Sequence, residues 1–128
     1  GVIASNPCLL CGAVLGAAGV CLGAFGAHAL ADVLSTRGAE VWDTAVQYHL
    51  LHALALVLVG TLHYRVDGKA ILIAGWGFAL GVLLFSGSLY LLALGGPSVL
   101  GPITPLGGVA FIVGWLALAV GAMGRAAK

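Results

Sequence analysis

Charge is what this sequence has least of. Among its 128 residues there are five Lys and Arg and four Asp and Glu, so 7% of the chain is charged and 62% is hydrophobic. An ordinary soluble domain is about a quarter charged and roughly half apolar, and a chain this short has too little interior to hide the excess. An independently soluble globular domain is therefore excluded. A formal net charge of +1 leaves no basic face for a nucleic-acid partner. Catalytic patterns are lacking too: no paired carboxylates, no phosphate-cradling glycine loop and no Ser, His and Asp set can be assembled. The chain reads as a non-enzyme. The two halves share no residue pattern, so internal duplication finds no support.

The few charges divide the chain at membrane-sized intervals. Residues 1–31, 44–64 and 70–124 carry none, and about 20 apolar residues in a helix cross the roughly 30 Å hydrocarbon layer. The last interval is too long for one crossing. GGPSVLGPITPLGG, residues 95–108, breaks it with three prolines and five glycines. The pattern predicts an all-α membrane protein, one domain over residues 1–128, with four transmembrane helices at about 8–31, 43–64, 70–94 and 105–124. A transmembrane β-barrel is excluded because the runs do not alternate polar and apolar residues.

Four helices in an antiparallel bundle put both termini on the same side. That side also holds the second loop, and with it Arg65, Lys69, Arg125 and Lys128; the other side has Arg37 alone. The positive-inside rule then places both termini in the cytoplasm of a bacterium or the matrix of a mitochondrion. Ala27-His28-Ala29 has the small-x-small form of a cleavage site, but the apolar stretch before it is long and lacks a basic leader. A retained first helix is expected.

Helix 1 is rich in Gly and Ala, with small-xxx-small pairs at Gly12/Gly16 and Gly19/Gly23. Such pairs allow close backbone approach, which predicts a central position in the bundle; the alternative is a homodimer face through Gly12, Gly16, Gly19 and Gly23. The first loop, DVLSTRGAEVWD, alone has soluble character, and Trp42 at its end suits the headgroup layer with its N–H wet. Cys8, Cys11 and Cys21 read as small apolar residues. The CxxC pair lacks a second pair or a βαβ setting. The uncharged third loop is expected to fold onto the bundle or be covered by a partner, and Thr104 to cap helix 4 with Pro105 at its first position.

Helix 2 carries the chemistry-bearing residues. At 100° per residue His49, His52 and His63 share one stripe with Ala45, Leu56 and Gly60. Ionisable groups at membrane depth face the interior or a watery cavity, so this stripe should point inward. His52 lies about 13 Å along the axis from Asp43, near mid-membrane, and His28 is expected level with His49. Four roles compete for these imidazoles. They can lock neighbouring helices by hydrogen bonds; hold a metal, which lacks further ligands; ligate haem from facing helices; or line a proton path. Ser86 and Ser88 suit helix packing.

GAFGAHAL (23–30), AVQYHLLHALAL (45–56), FSGSLYLLAL (85–94) and ITPLGGVAFIVGW (103–115) resemble, in order and over nearly the whole chain, the domain-of-unknown-function 423 family of small membrane proteins. The resemblance implies a four-helix inner-membrane protein, mitochondrial in eukaryotic members, and no reaction or cofactor. It marks His28, Gln47, His49, His52, Ser88, Tyr90, Thr104, Pro105, Gly107 and Gly108 as pattern residues. His28, Gln47, His49, His52, Ser88 and Tyr90 form the candidate inward polar cluster. The expected function is that of an accessory or structural component, a subunit of a larger membrane assembly with membrane-protein partners. The alternatives are a His-based redox protein or a small proton or solute transporter.

Overall fold

In a computed structural model, which describes residues 3–62 and 65–124, every regular element is helical. The helices are α1 (Pro7–His28), α2 (Thr36–Thr61), α3 (Gly68–Gly81), α4 (Gly87–Ala93) and α5 (Ile103–Ala122). A π-helical turn, Val82–Ser86, joins α3 to α4, and a 3-10 turn, Ser98–Leu100, precedes α5. Four helical spans are long and apolar enough to cross a membrane: α1, α2, Gly68–Ala93 and Ser98–Ala122.

Local chemistry sets the ends. Asn6 caps α1 by accepting from the Leu9 N–H at 3.2 Å, with Pro7 at the first position where its missing N–H costs nothing. Ser35 caps α2 by accepting from the Gly38 N–H at 2.9 Å. The expected start of helix 2 at residue 43 is therefore too late, because the polar segment before it is already helical. At 26 residues α2 is about 39 Å long, which exceeds the hydrocarbon layer, so its first turns reach beyond it. Arg37 and Glu40 sit on that extension, exposed and 3.6 Å apart. Nor does Thr104 cap the last helix. Residue 102 takes that position and Thr104 lies in the first turn, where Pro105 is tolerated.

Helix α2 is the centre of the bundle. One face meets α1, the other meets α3, the π-turn and α4, and α5 lies against α3. Neighbours run antiparallel. The Asn6 side-chain amide donates to the Gly60 carbonyl at one end of the α1–α2 pair, and the Trp42 indole donates to the Leu22 carbonyl at the other. The expectation of a central helix 1 is corrected: 11% of its apolar window is buried, against 44% for α2. Its glycine stripe serves one neighbour only. A Cβ on Gly12 would stand 2.8 Å from the Ala53 carbonyl oxygen, and Gly16, Gly19 and Gly23 face Ala53, Leu50 and Val46. That face is occupied by α2 of the same chain, so a homodimer through it would have to displace α2.

The core gathers Ala55, Leu56 and Val59 with Ala74, Phe78, Val82 and Phe111. Ala74, Phe78, Val82 and Ser86 are spaced four apart, and all are buried. In an unbroken α-helix such a row drifts about 40° round the axis at each step. The wider π-turn offsets that drift and keeps Ser86, then Tyr90, facing α2.

Close approach also rests on Gly107, where a Cβ would collide with the backbone nitrogen and Cβ of Phe85, whereas one on Gly68 would meet nothing. Gly107→Ala is expected to destabilise the bundle by about 1–3 kcal/mol and Gly68→Ala to stay within about 0.5 kcal/mol. Reversible unfolding in mixed detergent micelles measures both.

Candidate functional site

The stripe of α2 points inward as its periodicity requires: Ala45, His49, His52, Leu56 and Gly60 are all buried. Its imidazoles sit one turn apart and reach different neighbours. His49 Nε2 is 2.7 Å from the Leu15 carbonyl oxygen on α1, and its Nδ1 is 2.8 Å from the Tyr90 hydroxyl on α4. A carbonyl can only accept, so Nε2 carries the proton and Nδ1 accepts from Tyr90. His52 is the reverse: Nδ1 donates to the Tyr48 carbonyl at 2.8 Å, and Nε2 accepts from the Trp115 indole at 3.0 Å. Each ring thus uses one N–H and one lone pair, the full complement of a neutral imidazole.

Aromatic rings close round the same centre. Phe111 stacks on His52 at 3.6 Å between centroids, and Phe78 and Trp115 meet it at 5.4 and 5.8 Å. Within the chain, rings from α3 and α5 thus enclose the His52 imidazole. Among the described residues no three His, Cys, Asp or Glu converge on a point where a metal ion would sit.

A second polar layer lies nearer the α2 N-terminus. Ser86, fully buried, donates to the Ala45 carbonyl at 2.7 Å, which ties the π-turn to α2. Ser88 bonds Thr104 Oγ1 at 2.5 Å and donates to the Phe85 carbonyl at 2.9 Å, which ties α4 to α5. Trp42 is buried at 3% exposure, its ring 4.8 Å from that of Tyr90, with its N–H on Leu22 rather than in water. Gly26 leaves the space its indole fills.

The candidate residues divide. His49 bonds Tyr90, His52 lies one turn along the same buried stripe and Ser88 is buried in the second layer against Thr104, whereas His28 is exposed at the end of α1 and Gln47 is exposed on the outer face of α2. The residue of α1 opposite His49 is Leu15, thirteen positions from His28 and about 20 Å along the axis. The expected level pairing of His28 with His49 fails because the connection after α1 is shorter and α2 longer than the charges suggest. His63, Arg125 and Lys128 lie outside the described residues.

Comparison with known proteins identifies the family. The profile of the family described as "Protein of unknown function (DUF423)" matches residues 22–108, which include Trp42, His49, His52, Ser86, Ser88 and Tyr90. The chain belongs to the DUF423 family. It is 46% identical over 116 residues to the UPF0382 membrane protein YwdK of Bacillus subtilis, covering 90% of this chain and 94% of that one. A UPF0382 membrane protein of Staphylococcus haemolyticus is 44% identical, covering 88% of this chain and 91% of the relative. One from Haemophilus influenzae is 40% identical over 80% of this chain and 82% of its own length. These names assign no reaction. No solved structure matches the chain. As a DUF423 protein with four apolar spans, this chain is an integral membrane protein.

Sequence reasoning missed the aromatic partners. Trp115 closes the last matching block, and its indole N–H needed an acceptor at that depth; that requirement was the available signal. Tyr90→Phe and Trp115→Phe keep the ring packing and remove one donor each. Each should lower bundle stability by about 0.6–2 kcal/mol. Unfolding of the single and double variants measures this.

Proposed function

We propose that this DUF423 protein is a non-enzymatic accessory component of a larger inner-membrane assembly, its interior polar residues serving to lock the helices together. One observation carries the reading. All four ring nitrogens of His49 and His52 are engaged by partners within the chain, on α1, α2, α4 and α5. A haem or metal would have to break two of those bonds. A redox pair of His28 with His49 or His52 is unfavourable for the further reason that His28 is exposed at the end of α1.

A partner in the membrane is supported from outside the core. The third loop has no charge, and Pro97, Ser98, Val99, Gly101 and Pro102 are exposed, with Leu100 and Gly96 half-buried. Gln47 presents an amide on the outer face of α2, one turn beyond Asp43. A polar group facing hydrocarbon is costly, and a hydrogen bond to another protein relieves the cost. The charges support a location: Arg65 and Lys69 lie where α2 turns into α3, and Arg125 and Lys128 follow the last span in sequence, which favours the cytoplasmic or matrix side for that end and for both termini.

A photoreactive residue at position 47 or 99 in the native membrane should give a discrete adduct with another membrane protein; recovery of the uncrosslinked monomer alone would sink the assembly. Added haem should give no Soret band that depends on the histidines. A band present in the wild type and lost in His49→Ala/His52→Ala would restore the redox reading. Single cysteines placed at 67 and 98 in a chain with the three native ones replaced by Ala should label from the inner and outer side respectively.

A further inference from the structure

At the end of the bundle where α3 begins and α5 finishes, a cleft of about 820 Å³ opens sideways between these two helices. Its walls are apolar: Ile73 on α3 and Val113, Leu116 and Val120 on α5. Its mouth is basic, with Arg65 and Lys69 on the rim and the single carboxylate of Asp67 beside them. Gly121 allows α5 to close on Ala70 and Val66, which forms the floor.

Dimensions and charge both point to one kind of occupant. From Val113 to Gly121 the α5 wall runs about 12 Å at 1.5 Å per residue, most of the depth of one leaflet of the roughly 30 Å hydrocarbon layer. The mouth then falls where that leaflet's headgroups lie. Two cations stand there, and the first amides of α3, on Gly68, Lys69 and Ala70, have no carbonyl of their own helix to bond. A phosphate satisfies such amides and is favoured by the helix end. Basic pockets between membrane helices suit anionic headgroups for the same reason. The chain's own last residues are a poorer match, because Arg125 and Lys128 would bring two further cations against Arg65 and Lys69.

We propose that this cleft binds an anionic phospholipid, with its phosphate between Arg65, Lys69 and the first amides of α3, and one acyl chain along the apolar groove between α3 and α5. A neutral lipid would fill the groove but gain nothing from the rim.

Native mass spectrometry of the full chain, exposed to equal amounts of phosphatidylglycerol and phosphatidylcholine and then stripped of detergent, tests this. Phosphatidylglycerol should be retained about tenfold more strongly, and Arg65→Gln/Lys69→Gln should abolish the preference. Ala117→Phe narrows the groove without touching the charges, and should weaken retention as well. Circular dichroism checks that both variants keep their helix content. Excess inorganic phosphate should not displace the lipid. Four results would overturn the proposal: equal retention of the two lipids, a charge variant that behaves as wild type, displacement by inorganic phosphate, or an Ala117→Phe variant with undiminished binding. A chain ending at Gly124 that held phosphatidylglycerol more tightly would also do so, by making the terminal residues the occupant.

Discussion

A polar atom at membrane depth has no water to fall back on, and the bundle is arranged round that constraint. Two imidazoles on α2 present four ring nitrogens to the interior, and each finds one partner of the opposite kind: two carbonyls that can only accept, and a phenol and an indole that donate. Those partners sit on four different helices, so α1, α4 and α5 are fixed in rotation and height relative to α2. Among the described residues no buried side-chain nitrogen or oxygen is left without a partner. A polar interior fully satisfied in this way rigidifies a bundle.

The bonds are reachable because the backbones come close. Small residues, not hydrophobic drive, hold helices together in lipid. Gly12 and Gly19 bring α1 to bonding distance of His49; Gly107 does the same for α5 against Phe85 in the π-turn. The π-turn in turn aims Ser86 and Tyr90 at α2. Each device alone is a local irregularity; together they bring a carbonyl of α1 and the hydroxyls and rings of the last two spans to the stripe on α2. Most of these residues fall within the stretch that the family profile matches.

Much of this was legible in the sequence, and the failures have common causes. The number and approximate extent of the spans followed from charge-free intervals, and the inward stripe of α2 followed from helical periodicity. The placement of His28 and Trp42 did not. Both depended on where α2 begins, and a Ser35 cap starts it seven residues before the apolar run does. Composition marks where a helix meets lipid, not where its hydrogen bonding starts. The glycine stripe marks a close-packing face, but nothing in a stripe says which helix it meets. The bundle answered with α2, and left α1 at the edge.

By itself the sequence determined an all-helical membrane protein with four spans, because hydrophobic length and backbone self-satisfaction admit little else in a bilayer. It also determined that His49 and His52 face inward, because a 3.6-residue period ties them to Ala45 and Leu56. Only the tertiary structure decided what they face. The choice of Leu15, Tyr90 and Trp115 depends on helix order, relative height and a π-turn that rotates half a span, and these are properties of contacts between segments far apart in the chain. The same holds for the basic-mouthed cleft: Lys69 and Val113 belong to one groove because α3 and α5 are neighbours.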